Sequence, residues 1–176
     1  FYAQSVQLEI ERWSKPKQNL RGDEGARVMQ YLGNSLHYSP NNPWPLELSG
    51  TLQLRSMSAA KDSQLAVAAA RSANMDFHMA LVERPTSPFA WASLALTKLY
   101  LGEQDEAMFQ AIERAEELGP WEPEVQQAVI FAGLAVWNKL SPRQQAAVVR
   151  AMQNGARRNP LKIAEIAKSF SRVDLF

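Results

Sequence analysis

Two histidines, His37 and His78, are the imidazoles this chain offers for catalysis or metal binding. Neither has a second histidine or a carboxylate three or four residues away, the spacing that would put two ligands on one helix face. His78 lies between Phe77 and Met79 in a helical stretch, and His37 falls at a helix end, where an imidazole meets the last carbonyls. There are no cysteines, which removes disulfides, thiol nucleophiles and cysteine-ligated zinc together. Glu103, Asp105, Glu106, Glu113, Glu116, Glu117, Glu122 and Glu124 stand against Arg114 alone over Glu103–Glu124. Paired carboxylates can act as acid and base. The helical spacing of Glu113, Glu116 and Glu117 instead assigns them to a solvated outer face. No nucleophile elbow, phosphate-cradling glycine loop or dinucleotide fingerprint is present. The sequence therefore predicts no catalytic residue, no metal and no cofactor.

Tryptophans are the remaining candidates, because aromatic faces stack on sugar rings. Trp91 and Trp137 lie on apolar helical stretches, which makes them packing residues. Trp121, within Gly119-Pro-Trp-Glu-Pro123, sits in a connecting loop where packing demands it less. Trp121 with Glu122 is thus a candidate binding pair, and Trp44 in Asn41-Asn-Pro-Trp-Pro45 holds the comparable place one block earlier.

Prolines punctuate the chain in pairs: Pro40 and Pro43, Pro85 and Pro88, Pro120 and Pro123, with Asn159-Pro160 as a fourth break. Proline is tolerated in the first helical turn, because the missing N–H has no partner there. The intervals from Pro40 to Pro85, Pro120 and Pro160 are 45, 35 and 40 residues, each long enough for two helices. The spacing predicts helices over 2–14, 24–38, 45–58, 64–83, 88–101, 104–118 and 122–139. A helix capped by Ser141 follows and ends near Asn154-Gly155, and a last one runs over 161–170. Residues 59–63 read as a longer connector. Gly50 falls inside a predicted helix, where close packing against Trp44 or a neighbour is expected. The stretches Trp91–Leu101 and Val129–Trp137 are apolar on nearly every side, so they must be covered all round. Either the C-terminal helix folds over them or a partner does.

The chain has 176 residues, 46% of them hydrophobic and 21% charged, with a net charge of +1. Those values place it in the globular class and exclude wholesale disorder. No apolar run approaches the length that spans a bilayer. Charge is uneven: the acidic stretch over 103–124 precedes a basic tail with Arg143, Arg150, Arg157, Arg158, Lys162, Lys168 and Arg172 against Glu165 and Asp174. The tail is only modestly basic and has few interleaved aromatics, so nucleic-acid binding is not expected. Pairing with the acidic block, within the chain or between chains, is an equally simple use.

The spacing Ala73-x3-Phe77-x2-Ala80-x4-Pro85, followed by Trp91-x2-Leu94-Ala95 and by Ala107, 34 residues after Ala73, resembles a tetratricopeptide repeat, whose period is about 34 residues. The likeness is best over residues 64–120. It departs at Lys98, where the pattern has tyrosine, and at Ala111, where it has a large residue. The resemblance implies an all-α domain over residues 1–176: a short right-handed stack of about four helical hairpins with a C-terminal closing helix. Such stacks bind partners in a groove lined by the first helix of each pair. Leu48, Leu52, Phe89, Leu96 and Leu99 are the corresponding candidates, with Trp121 and Glu122 in the loop.

Three further runs are similar to the VpsP-type polysaccharide-biosynthesis proteins of bacteria: Leu81-Val-Glu-Arg-Pro-Thr-Ser-Pro-Phe-Ala-Trp91, Leu118-Gly-Pro-Trp-Glu-Pro-Glu-Val-Gln126, and Gly133-Leu-Ala-Val-Trp137 with Leu140-Ser-Pro142. That resemblance implies a non-enzymatic periplasmic scaffold in exopolysaccharide assembly or export, tethered to the inner membrane by a segment ahead of Phe1. Its partners would be other proteins of the assembly system, with self-association as a further expectation. The competing expectation is a cytosolic regulatory helical-repeat protein that uses its basic C-terminal segment on nucleic acid or a protein.

Overall fold

The computed structural model describes residues 22–39, 42–59 and 62–175, and they are helical with no strand among them. The helices are α1 (Gly22–Tyr38), α2 (Pro43–Ala59), α3 (Ser63–Glu83), α4 (Pro88–Leu101), α5 (Glu106–Leu118), α6 (Pro123–Ala135), α7 (Pro142–Arg158) and α8 (Pro160–Ser169). Short 3-10 turns cover Trp137–Lys139 and Val173–Leu175. The helix expected over 2–14 lies outside the described residues.

Local chemistry sets most of the starts. Asp62, Ser87, Asp105, Ser141 and Asn159 each accept a backbone N–H of the first turn, which satisfies donors that have no intrahelical partner. Pro88, Pro123, Pro142 and Pro160 occupy the first turn of their helices. Ser141 and Gln144 cap reciprocally, the Gln144 side chain accepting the Ser141 N–H at 2.9 Å. Helix α4 stops at Gly102, whose φ of 73° lies in the left-handed region.

Each helix packs against its neighbours in sequence. In addition α4 contacts α6, α6 contacts α8, and α5 contacts α7. The hairpins α2–α3, α4–α5 and α6–α7 are thus laid side by side, and α8 continues the row of first helices. One core runs from α3 to α8, and a smaller one joins Val28 and Leu32 of α1 to Leu48 and Leu52 of α2, with Trp44 against it.

The second helix of each hairpin presents the same spacing to the core. Ala73, Phe77 and Ala80 precede Pro85; Met108, Ile112 and Ala115 precede Pro120; Val148, Met152 and Gly155 precede Pro160. All nine of these helical positions are buried. The interval that matters from Ala73 is therefore to Met108, not to Ala107, which is exposed. Adjacent helical residues point about 100° apart, so a one-residue error moves a side chain from core to water. Ala111 and Ile112 are both fully buried.

Close approach explains Gly50. A Cβ there would lie 2.8 Å from Cζ of Phe77 and 2.9 Å from both Cε atoms. The neighbour is thus Phe77 of α3 rather than Trp44. Several boundaries differ from the sequence reading. Helix α7 runs through Asn154-Gly155 to Arg158, because Gly155 is small to admit Ile163 of α8 rather than to end the helix. Helix α6 stops at Ala135, where the chain tightens into the 3-10 turn Trp137–Lys139 instead of continuing to Lys139. Helix α1 opens at Gly22, two residues before the expected start.

Candidate interaction surface

Helices α4, α6 and α8 leave an open groove of about 460 Å³ between them. Leu96 and Tyr100 come from α4, Ala128 and Phe131 from α6, and Ile166 from α8. These residues recur at three- and four-residue steps, so each helix offers one stripe. The apolar floor is rimmed by Glu124, Lys162 and Glu165. Lys162 and Glu165 pair at 3.1 Å with both side chains largely exposed, an arrangement worth little and easily rearranged. Phe131 is held from behind by an edge-to-face contact with Phe170, centroids 5.2 Å apart. Helix α8 therefore covers part of the apolar surface of α6 and leaves the remainder facing this groove.

Of the residues named from sequence, Leu96 lines the groove. Leu99 is half-buried against the main core. Leu48 and Leu52 are buried beneath α1, so that helix occupies the surface a partner was expected to use. Phe89 is 40% exposed at the start of α4, and Trp121 is 55% exposed. Glu122 is exposed and precedes α6 without a side-chain cap. The Trp121 carbonyl accepts a hydrogen bond from Arg158 at 2.9 Å, which ties this loop to the end of α7. Sequence reasoning missed Tyr100, Ala128, Phe131 and Ile166. The stripe at 124, 128 and 131 was legible in α6, but where α8 crosses it was not.

The other tryptophans pack. Trp91 is half-buried on the core and donates from Nε1 to the Pro85 carbonyl at 2.8 Å. Trp137 is half-buried with the Arg172 guanidinium 4.7 Å from its ring centroid.

Charge is paired across the hairpins. Arg150 binds Glu116 at 2.6 Å, and Arg143 bridges Glu113 and Glu117, the latter at 3.2 Å. The acidic helix α5 and the basic helix α7 thus neutralise one another within the chain. Glu116, expected on a solvated face, is only 4% exposed, because α7 packs over that face. The hydrogen bond to Glu116 raises the Arg150 pKa and outweighs the opposing effect of burial.

Lys98 is also buried, and binds Glu103 and Asp105 at 2.9 Å each. Burial pushes the Lys98 ammonium down, yet the two carboxylates together outweigh it and raise its pKa. Burial likewise pushes Asp105 up, and bonds from Lys98 and the Met108 N–H overcome it, holding Asp105 below the usual carboxylate range. Between α2 and α3, burial raises the Asp76 carboxyl against the opposing Ser49 hydroxyl, while Gln53 donates to Asp76 at 2.8 Å. These polar contacts join adjacent helices.

Among the described residues, no three or more His, Asp or Glu side chains are grouped to hold a metal ion. His37 lies in the last turn of α1 against Tyr38, and His78 is exposed on α3. No helix among them is long and apolar enough to cross a membrane. No protein-family model matches this chain, and no curated protein matches it.

Proposed function

We propose that this chain is a tetratricopeptide-like stack acting as a non-enzymatic scaffold, and that it serves bacterial exopolysaccharide assembly or export from the periplasm, tethered to the inner membrane. The observation that carries the scaffold reading is the open groove between α4, α6 and α8, with an apolar floor and charged rim. A groove of that make-up accepts the apolar face of an amphipathic helix, read at three- and four-residue steps. Side-by-side hairpins with a recurring core spacing support the repeat reading. The polysaccharide role rests on the sequence runs over 81–91, 118–126 and 133–142.

The test is genetic and biochemical. Ala128→Arg fills the groove while removing no core atom. Wild-type protein restores exopolysaccharide yield to cells lacking the gene, and the Ala128→Arg protein, shown folded by circular dichroism, does not. Full restoration by the variant refutes groove binding. Unchanged yield on deletion refutes the polysaccharide role. Turnover of a sugar substrate by the purified chain refutes the scaffold reading itself.

A further inference from the structure

The groove between α4, α6 and α8 holds its charges in the early turns of α6 and α8. Glu124 sits in the first turn of α6, and Lys162 and Glu165 fall in the first two turns of α8. Towards the later turns the lining is Tyr100, Phe131 and Ser169, and it carries no charge.

The two signs do not balance. Lys162 is paired with Glu165 of its own helix at 3.1 Å. Glu124 is exposed, and its carboxylate has neither an ion-pair nor a hydrogen-bond partner among the described residues. Elsewhere the helices match carboxylates with cations: Glu47 with Arg84, Glu103 and Asp105 with Lys98, Glu116 with Arg150. Glu124 falls outside that pattern. It also lies one turn from Ala128 on the same face of α6, so the unmatched charge stands at the edge of the apolar floor.

That imbalance selects among occupants. Nucleic acid and anionic lipid surfaces are held by cations, and Lys162 is already paired. An acidic helix would set like charge against Glu124. We propose that the occupant is a cationic amphipathic helix of another protein. Its apolar side chains rest on Leu96, Ala128, Phe131 and Ile166, and a Lys or Arg beside them meets Glu124. The inference rests on the groove reading above and adds the partner's charge. Glu124 to Phe131 spans about 10 Å at 1.5 Å per residue, so the contact takes about two turns of the partner. Because the Lys162–Glu165 pair is largely exposed and such pairs are weak, Glu165 can turn to a second basic residue.

The probes are two fluorescein-labelled peptides of about 14 residues, long enough to fold as helices on binding. Both carry leucines at three- and four-residue steps; one has lysines beside that stripe and the other glutamates. In fluorescence anisotropy the lysine peptide binds about tenfold more tightly at low salt, and the gap narrows at high salt. Glu124→Lys, a change at an exposed position, reverses the order. Ala128→Trp fills the groove without adding charge and abolishes binding of the lysine peptide. Circular dichroism shows both variants folded. Equal or tighter binding of the glutamate peptide, or an order unchanged in Glu124→Lys, overturns the proposal. If Ala128→Trp still blocks both peptides in that case, groove binding itself survives. Lysine-peptide binding that persists in Ala128→Trp places the site elsewhere and overturns the proposal. Binding by neither peptide overturns the groove reading together with it.

Discussion

Gly50→Ala separates helix propensity from tertiary packing at one position. In an isolated helix the substitution stabilises by about 1 kcal/mol, because glycine loses more backbone freedom than alanine. Here the new methyl meets three atoms of the Phe77 ring at 2.8–2.9 Å. Phe77 is 1% exposed, so the ring cannot swing into solvent, and relief requires α2 and α3 to separate. Overpacking of this kind costs about 1–3 kcal/mol. The expected net loss is about 0–2 kcal/mol, or up to roughly 8 °C in Tm for a chain of this length. Thermal and urea unfolding followed by circular dichroism measure it. Phe77→Leu shortens the ring at the point of contact. The double variant Gly50→Ala/Phe77→Leu should therefore be more stable than the two separate losses predict, by at least about 0.5 kcal/mol. A rise in Tm for Gly50→Ala, or simple additivity in the double variant, would refute the close-approach argument.

Three further outcomes follow from the packing. Arg150→Ala leaves the buried Glu116 carboxylate without its cation; the expected loss is about 1–3 kcal/mol, below that of a fully enclosed pair because Arg150 is half-exposed. Urea unfolding checks it, and adding Glu116→Gln to Arg150→Ala should recover much of the loss. Ser141→Ala removes one arm of the reciprocal cap on α7 and should cost about 1 kcal/mol, seen as a lower urea midpoint at constant slope. The Lys98 cluster adds a pH signature. Asp105 has a lowered pKa in the folded chain, so its contribution is present above the unfolded value of about 3.9 and disappears as pH falls through the folded one. Lys98 has a raised pKa, so its contribution is present below the unfolded value and disappears as pH rises through the folded one. The stability difference between wild type and Lys98→Met should thus be flat near neutrality and change at both extremes. A difference independent of pH from about 2.5 to about 11 would refute the coupling.

The helices were legible because their ends are written locally. Ser87-Pro88, Ser141-Pro142 and Asn159-Pro160 each place a capping side chain beside a proline, and both act within a turn of themselves. The all-α class was implied by the repeat resemblance, and the need to cover α4 and α6 followed from periodicity. What sequence left open depends on which helix lies against which. Asn154-Gly155 looks like a stop until Ile163 is seen to rest on Gly155. Ala107 and Met108 are equally plausible contacts until the face of α5 is fixed. Glu116 reads as solvated until α7 covers it with Arg150. Leu48 and Leu52 suit a groove until α1 occupies that ground, and the groove itself needs α8 to form its third wall. Secondary structure here is governed by contacts within a few residues, which sequence displays directly. Burial, pairing and open surface are set by contacts between residues distant in the chain, and only the packed helices decide those.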